Sequence, residues 1–354
     1  MKKGILFVLC ITLFLAVLFL AKGAAYAADS VTFRATINVP STQPPAMAMK
    51  HWGDLVTKRT NGRIKFNYLW GGALTKAGEE IPAIEKGLAN AGFFTAPYYP
   101  GKMVLNSISF TVPFDTADPR VMLKMYYRVA EEVPEFVAEV EKNNLKEIYP
   151  FIFGSYELLS TKPMKTLADM KGKKIAVIGA TFPKWFEAIG AVPISMPAPD
   201  RYTGLQTGLI DGQVLPLGPT DAFKWMEIAK NCTLIHLGCV ILGSTVMNAD
   251  DFGKLSPGDQ KIVLEAGKET AQWNADQVVD DEARIKEKWK KMGVVFYTLS
   301  DADKQAWAEQ LKYVPYDWAK EWDAKGVAAT KTLNAYLNAS RELGHQYPVE
   351  WAKR

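Results

Sequence analysis

One stretch, residues 160–213, constrains the fold more than any other. It reads STKPMKTLADMKGKKIAVIG, then, after Ala180 and Thr181, FPKWFEAIGAVPISMPAPDRYTGLQTGLIDGQ. Lys174 to Ile178 is a short apolar run closed by glycine, the signature of a buried strand. Phe182 to Ile189 predicts a short helix. A proline-rich loop follows, then a second helix that ends at Gly208, ahead of Asp211-Gly212-Gln213. This strand–helix–loop–helix order specifies a compact α/β lobe whose loops converge on one edge of a sheet.

The preceding region has the same grammar. Val31 to Val39 alternates and is rich in β-branched residues, so it predicts a first strand. Ser41 to Pro45 reads as a turn. Met47 to Thr60 has helical spacing that Asn61-Gly62 ends. Arg63 to Leu69 alternates, with Ile64, Phe66 and Tyr68 on one side, and stops at Gly71-Gly72. Glu79 to Gly87 is a short helix and Ala91 to Thr95 a buried strand. Pro119 to Asn144 reads as helical and Leu145 to Phe153 as a strand leaving this first unit. Beyond the opening stretch, Asp221 to Ala229 reads as a helix and Cys232 to Val246 as strand-like. Ser256-Pro257-Gly258-Asp259 combines an N-cap, a proline at the first helical position and an acid two residues later. It starts a helix that runs to about Met292, long enough to span two lobes. Ser300-Asp301-Ala302-Asp303 repeats the signal before a helical region reaching about Ser340.

The first residues do not belong to this pattern. Lys2 and Lys3 precede an apolar run from Gly4 to Leu20, and Ala25-Tyr26-Ala27 is a small-x-small cleavage site. Residues 1–27 are expected to be a cleaved signal peptide; the alternative is a retained membrane anchor. Cleavage removes Lys2, Lys3 and Lys22 and no acid, leaving 39 basic against 38 acidic residues, a net charge of +1. That balance gives no electrostatic case for nucleic acid. The remaining 327 residues (354 minus 27) suit about two domains. Cys232 and Cys239 permit a disulfide in an oxidising compartment, but two buried thiols are the expectation.

Chemistry for catalysis is absent from the motifs. His51, His236 and His345 have no metal-ligand spacing. There is no G-x-S-x-G elbow and no P-loop. Lys174 to Gly179 looks like the first strand of a dinucleotide fold, but Phe182 and Pro183 stand where backbone must approach a pyrophosphate. A two-lobed α/β chain without a catalytic set suggests a receptor, not an enzyme, that holds a small ligand between lobes.

The flanking motifs carry a family resemblance. Thr60-Asn61-Gly62-Arg63-Ile64, Gly71-Gly72, Lys162-Pro163-Met164-Lys165-Thr166 and Asp169-Met170-Lys171-Gly172-Lys173-Lys174-Ile175 form one series. Tyr202-Thr203-Gly204-Leu205-Gln206-Thr207-Gly208 and Asp211-Gly212-Gln213 complete it. In this order the chain resembles the solute-binding subunits of TRAP (tripartite ATP-independent periplasmic) transporters. The resemblance implies a two-lobed periplasmic-binding-protein fold, with mixed, mostly parallel sheets and long helices spanning both lobes. Residues 28–153 plus about 242–281 are expected in lobe I, and 154–241 plus about 282–354 in lobe II. It also implies a periplasmic location and delivery to a membrane permease driven by an ion gradient. No cofactor, metal or nucleic acid is expected, and a monomer is favoured over a dimer. The alternatives are an ABC-type solute-binding protein or a membrane-anchored sensor.

Within that resemblance, Tyr156 and Ala176 stand where the family usually has arginines for a ligand carboxylate, and Leu215 where it often has asparagine. Either the ligand is not a standard C4-dicarboxylate, or another group supplies the charge. Lys184, Lys76, Arg201 and the backbone N–H groups near Thr181 are the candidates. The expected ligand is an atypical organic acid or an aromatic or apolar molecule. Its expected site comprises Tyr98, Tyr99, Tyr156, Ala176, Phe182, Lys184, Trp185, Gln213 and Leu215, with Trp70 at the rim.

Overall fold

The computed structural model describes residues 30–354. The expected leader and its cleavage site lie outside the described residues. Strand β1 (Val31–Thr36) is followed by α1 (Pro44–Arg59), β2 (Ile64–Leu69), α2 (Glu80–Glu85) and β3 (Ala91–Thr95). Helix α1 begins earlier than its apolar spacing suggests, because Pro44 and Pro45 occupy the first helical positions, where a missing N–H costs nothing. Asn61 and Gly62 end it with positive φ. The helical stretch after residue 118 divides into α3 (Pro119–Glu132) and α4 (Pro134–Glu141), because Pro134 cannot continue the first helix. Strand β4 (Leu145–Phe153) follows.

The opening stretch of the sequence becomes β5 (Glu157–Ser160), α5 (Leu167–Met170), β6 (Lys174–Val177), α6 (Phe182–Ala188), β7 (Val192–Ser195), α7 (Arg201–Thr207) and β8 (Gly212–Leu215). Gly208 ends α7 at φ +72°, a conformation that suits glycine. Next come α8 (Leu217–Ala222), β9 (Asn231–Leu234), β10 (Val240–Asn248) and α9 (Ala249–Gly253). The chain closes with α10 (Pro257–Lys291), β11 (Val295–Thr298), α11 (Asp301–Leu311), α12 (Val314–Asp323) and α13 (Ala329–Glu342).

Two mixed sheets result. The first has the order β2-β1-β3-β10-β4, the second β11-β9-β5-β8-β6-β7. Strands β1, β2 and β3 are parallel, and β10 runs antiparallel between β3 and β4. In the second sheet β6 is parallel to β7 and β8, while β5 is antiparallel to β8 and β9. The chain crosses between sheets at 154–156 and again at 235–239. Helix α10 bridges them: its first half lies on β4 and α1, and near its end Lys288 and Trp289 bond Asp221 of α8. Gly267 allows the close seat on β4, since a Cβ there would lie 2.5 Å from the Ile148 carbonyl oxygen.

Three sequence expectations need correction. The run from Cys232 to Val246 is two strands in different sheets, not one. His236 (φ +52°) and Gly238 (φ +102°) turn the chain between them, and Cys232 and Cys239 are free and buried. The helix expected at 221–229 is α8, placed four residues earlier, followed by a 3₁₀ turn at Trp225–Glu227. The region 304–340 is three helices, interrupted near Pro315 and Gly326. The last of them, α13, packs on α3 beside the first sheet. We therefore propose that α13 belongs to lobe I, in place of the 282–354 assignment to lobe II, and that the lobe boundaries fall in the two crossovers.

Candidate ligand-binding cleft

Strand ends and loops of both sheets face each other across a narrow cavity of about 50 Å³. The first lobe contributes Asn38, Val39 and Gln43 after β1, Phe93, Thr95 and Tyr98 at the end of β3, and Leu242 of β10. The second contributes Ile178, Ala198, Leu215, Pro219 and Phe223, and Phe153 stands at the crossover. The wall is therefore predominantly apolar and aromatic, and no lysine or arginine lines it. A second crevice of about 60 Å³ shares Phe153 and Pro219 and is lined by Trp273 and Gln277 of α10.

Behind the Leu215 side of this wall sits Arg201, the first residue of α7. The proline-rich loop 197–200 carries the chain back toward β8, and the side chain has no exposed surface. Its Nε donates to the Met196 carbonyl at 3.0 Å, and Nη1 donates to Gln213 Oε1 at 3.2 Å and to the Val214 carbonyl at 3.0 Å. The guanidinium carbon lies 5.8 Å from the centre of the Trp225 ring. Arg201 forms no salt bridge with an acidic side chain of the described residues. Burial pushes its pKa down to about 10, so it is charged at neutral pH. Arg201 Nη2, Trp225 Nε1 and the Tyr156 hydroxyl are buried without a protein partner. Burial raises the pKa of the Tyr98 and Tyr156 phenols, and the nearby Arg201 charge opposes that rise in both.

The expected site residues separate into groups. Tyr98 and Leu215 line the cavity. Gln213 and Ala176 are fully buried register partners on β8 and β6, and Gln213 holds Arg201. Phe182 and Trp185 pack into a buried aromatic cluster instead of lining the cavity. Their rings lie 4.3 Å apart, and Phe182 meets Tyr156 at 5.1 Å and Phe110 of the first lobe at 5.3 Å. Tyr99 is in the first lobe's core, its hydroxyl donating to Glu80 at 2.6 Å. Trp70 stacks on Tyr68 at the edge strand β2, with ring centres 4.5 Å apart. Lys184 and Lys76 are exposed on the surface. Thr181 lies in a separate depression with Pro97 and Trp318. Sequence reading missed Phe93, Phe153, Phe223 and Leu242. Their position at strand ends and crossovers was the available signal.

A profile of the bacterial extracellular solute-binding proteins, family 7 (DctP), matches residues 35–321. The chain belongs to this family, the solute-binding subunits of TRAP transporters. Among its relatives, the 2,3-diketo-L-gulonate-binding periplasmic protein of Escherichia coli is 28% identical over 303 residues, covering 83% of this chain and 89% of that one. The C4-dicarboxylate-binding protein of Bacillus subtilis is 26% identical, covering 80% and 81%. A TRAP solute-binding protein from Bordetella bronchiseptica, solved with bound (R)- and (S)-mandelate, superposes with a TM-score of 0.76 at 25% identity, covering 88% of this chain and 99% of that one. This TRAP receptor therefore has the two-lobed fold, captures a small solute and works with membrane permease subunits; proteins of its kind are periplasmic. Its relatives bind dissimilar ligands, so the ligand must be read from the cleft. Ala176, Tyr156 and Arg201 are fully buried and do not line it.

Proposed function

We propose that this TRAP receptor captures a small organic molecule with an aromatic or branched apolar body, in place of a standard C4-dicarboxylate. The signal peptide directs it to the periplasm, where the monomer hands the ligand to an ion-gradient-driven permease. The observation that carries the reading is the cavity wall: Val39, Phe93, Tyr98, Phe153, Leu215, Phe223 and Leu242. Pockets for small ligands commonly combine such walls with few polar groups. Covering roughly 120 Å² of ring surface is worth about 3 kcal/mol at ~25 cal/mol per Å². A C4-dicarboxylate has little apolar surface to gain this. The mandelate bound by the Bordetella bronchiseptica relative supports the reading, because its phenyl group is the kind of body such a wall accepts.

Thermal-shift measurements with mandelate, benzoate, succinate and malate test it. The aromatic acids are expected to raise the unfolding temperature by several degrees and the C4 acids to leave it unchanged. Stabilisation by succinate or malate alone would refute the reading.

A further inference from the structure

We infer that Phe153 sets the length of ligand that this receptor accepts, by closing the cleft cavity off from the crevice beside α10. The inference rests on the apolar-body reading and adds a limit on the size of that body.

The first observation is shared lining. The cleft cavity of about 50 Å³ and the α10 crevice of about 60 Å³ have Phe153 and Pro219 in common. Residues that border both spaces stand between them. Chain neighbours divide along the same line: Pro45 and Leu215 line the cleft, while Pro44 and Pro216 line the crevice. The partition is therefore no thicker than a side chain.

The second observation is what the partition is made of. Pro44, Pro45, Pro216 and Pro219 carry rings that are tied to the backbone, with φ fixed. Pro44 and Pro45 begin α1, and Pro219 lies inside α8, so these rings form a rigid frame. Leu215 borders the cleft alone. Phe153 is different. It ends β4, its side chain is buried, and its ring meets Phe151 edge to face with centres 5.3 Å apart. Its phenyl is the one part of the shared wall that is free of the backbone.

The third observation is size. An apolar cavity of about 150 Å³ accommodates one benzene molecule. The cleft cavity is well below that, so even one ring is admitted only as the lobes part. A second ring joined in line with the first meets the Phe153 phenyl. Beyond it the crevice is lined by Met47, Leu217, Trp273 and Val278, an apolar seat that the phenyl bars.

Calorimetry on the full mature chain tests the partition with mandelate and 4-phenylmandelate, which adds a second ring in line with the first. The wild-type chain is expected to bind mandelate at least about tenfold more tightly than the longer acid. Phe153→Ala is expected to tighten binding of the longer acid at least about tenfold and to weaken that of mandelate. Phe153→Leu keeps the core apolar, should gain about threefold, and serves if the alanine variant does not fold. Equal binding of the two acids by the wild-type chain, or no gain in either variant, would overturn the partition while leaving the apolar-body reading intact. If no aromatic compound binds the wild-type chain, that reading fails, and a crystal structure of the folded variant decides the partition separately. One continuous space from Tyr98 to Trp273 is expected, and two cavities still separate would overturn it.

Discussion

Gln213 holds Arg201 through a 3.2 Å hydrogen bond from Nη1 to Oε1, with both side chains fully buried. The amide positions the charge but does not neutralise it. Gln213→Glu would place a carboxylate on the same guanidinium and create an internal counter-ion. The variant is expected to unfold at the same temperature as the wild-type chain or a higher one. Scanning fluorimetry checks it, and a variant that unfolds at a lower temperature would mean that the new carboxylate does not pair with Arg201.

Ala176 and Gln213 are register partners on parallel strands, so their side chains leave the same face of the sheet. An arginine at 176 would therefore crowd the one at 201. Ala176→Arg is expected to cost about 1–3 kcal/mol of stability. Combining it with Arg201→Ala should recover at least about 1 kcal/mol relative to the sum of the two single changes. Denaturant unfolding of all four chains measures the coupling. Strict additivity would mean that the two positions do not share space.

Much of this fold was legible because local and tertiary signals agree. Ile175 to Val177 is apolar, bounded and buried, and Gly208 stops α7 as its position suggests. The division of 232–246 was not legible. Cys232 to Val246 has strand composition almost throughout, and what breaks it is distant. The His236 N–H donates to Glu157, and a Cβ on Gly238 would meet the Asp115 backbone at 2.8 Å. The site was half legible for a similar reason. Phe182 and Trp185 look like wall residues in the sequence, but Phe110, far upstream, draws Phe182 into a packed cluster. Arg201 follows an aspartate at the start of a helix, a pattern typical of a solvated surface. Only the return of the loop onto β8 buries it.

Glu147 makes stability depend on pH. Its carboxylate accepts hydrogen bonds from Tyr126 and Ser244 inside the first lobe, and burial raises its pKa above the ordinary 4.5. The folded state thus holds this proton more tightly than the unfolded chain. The contribution is complete below about pH 4.5 and is lost as pH rises through the folded value. Between about pH 5 and 8, unfolding free energy should fall more steeply in the wild-type chain than in Glu147→Gln. Urea melts across that range give the slopes, and parallel slopes would contradict the assignment.

Gly267 seats the long helix on β4, where a Cβ would lie 2.5 Å from the Ile148 carbonyl oxygen. Backbone cannot yield as a side chain can. Gly267→Ala is expected to cost about 1–3 kcal/mol, despite alanine's better helix propensity. Chemical denaturation checks it, and a stabilised variant would mean that the helix can move off the strand freely.

The most direct test of the account is a crystal structure grown with mandelate. The account predicts the ring inside the cavity between Tyr98 and Leu215. A ring bound outside that cavity would contradict it.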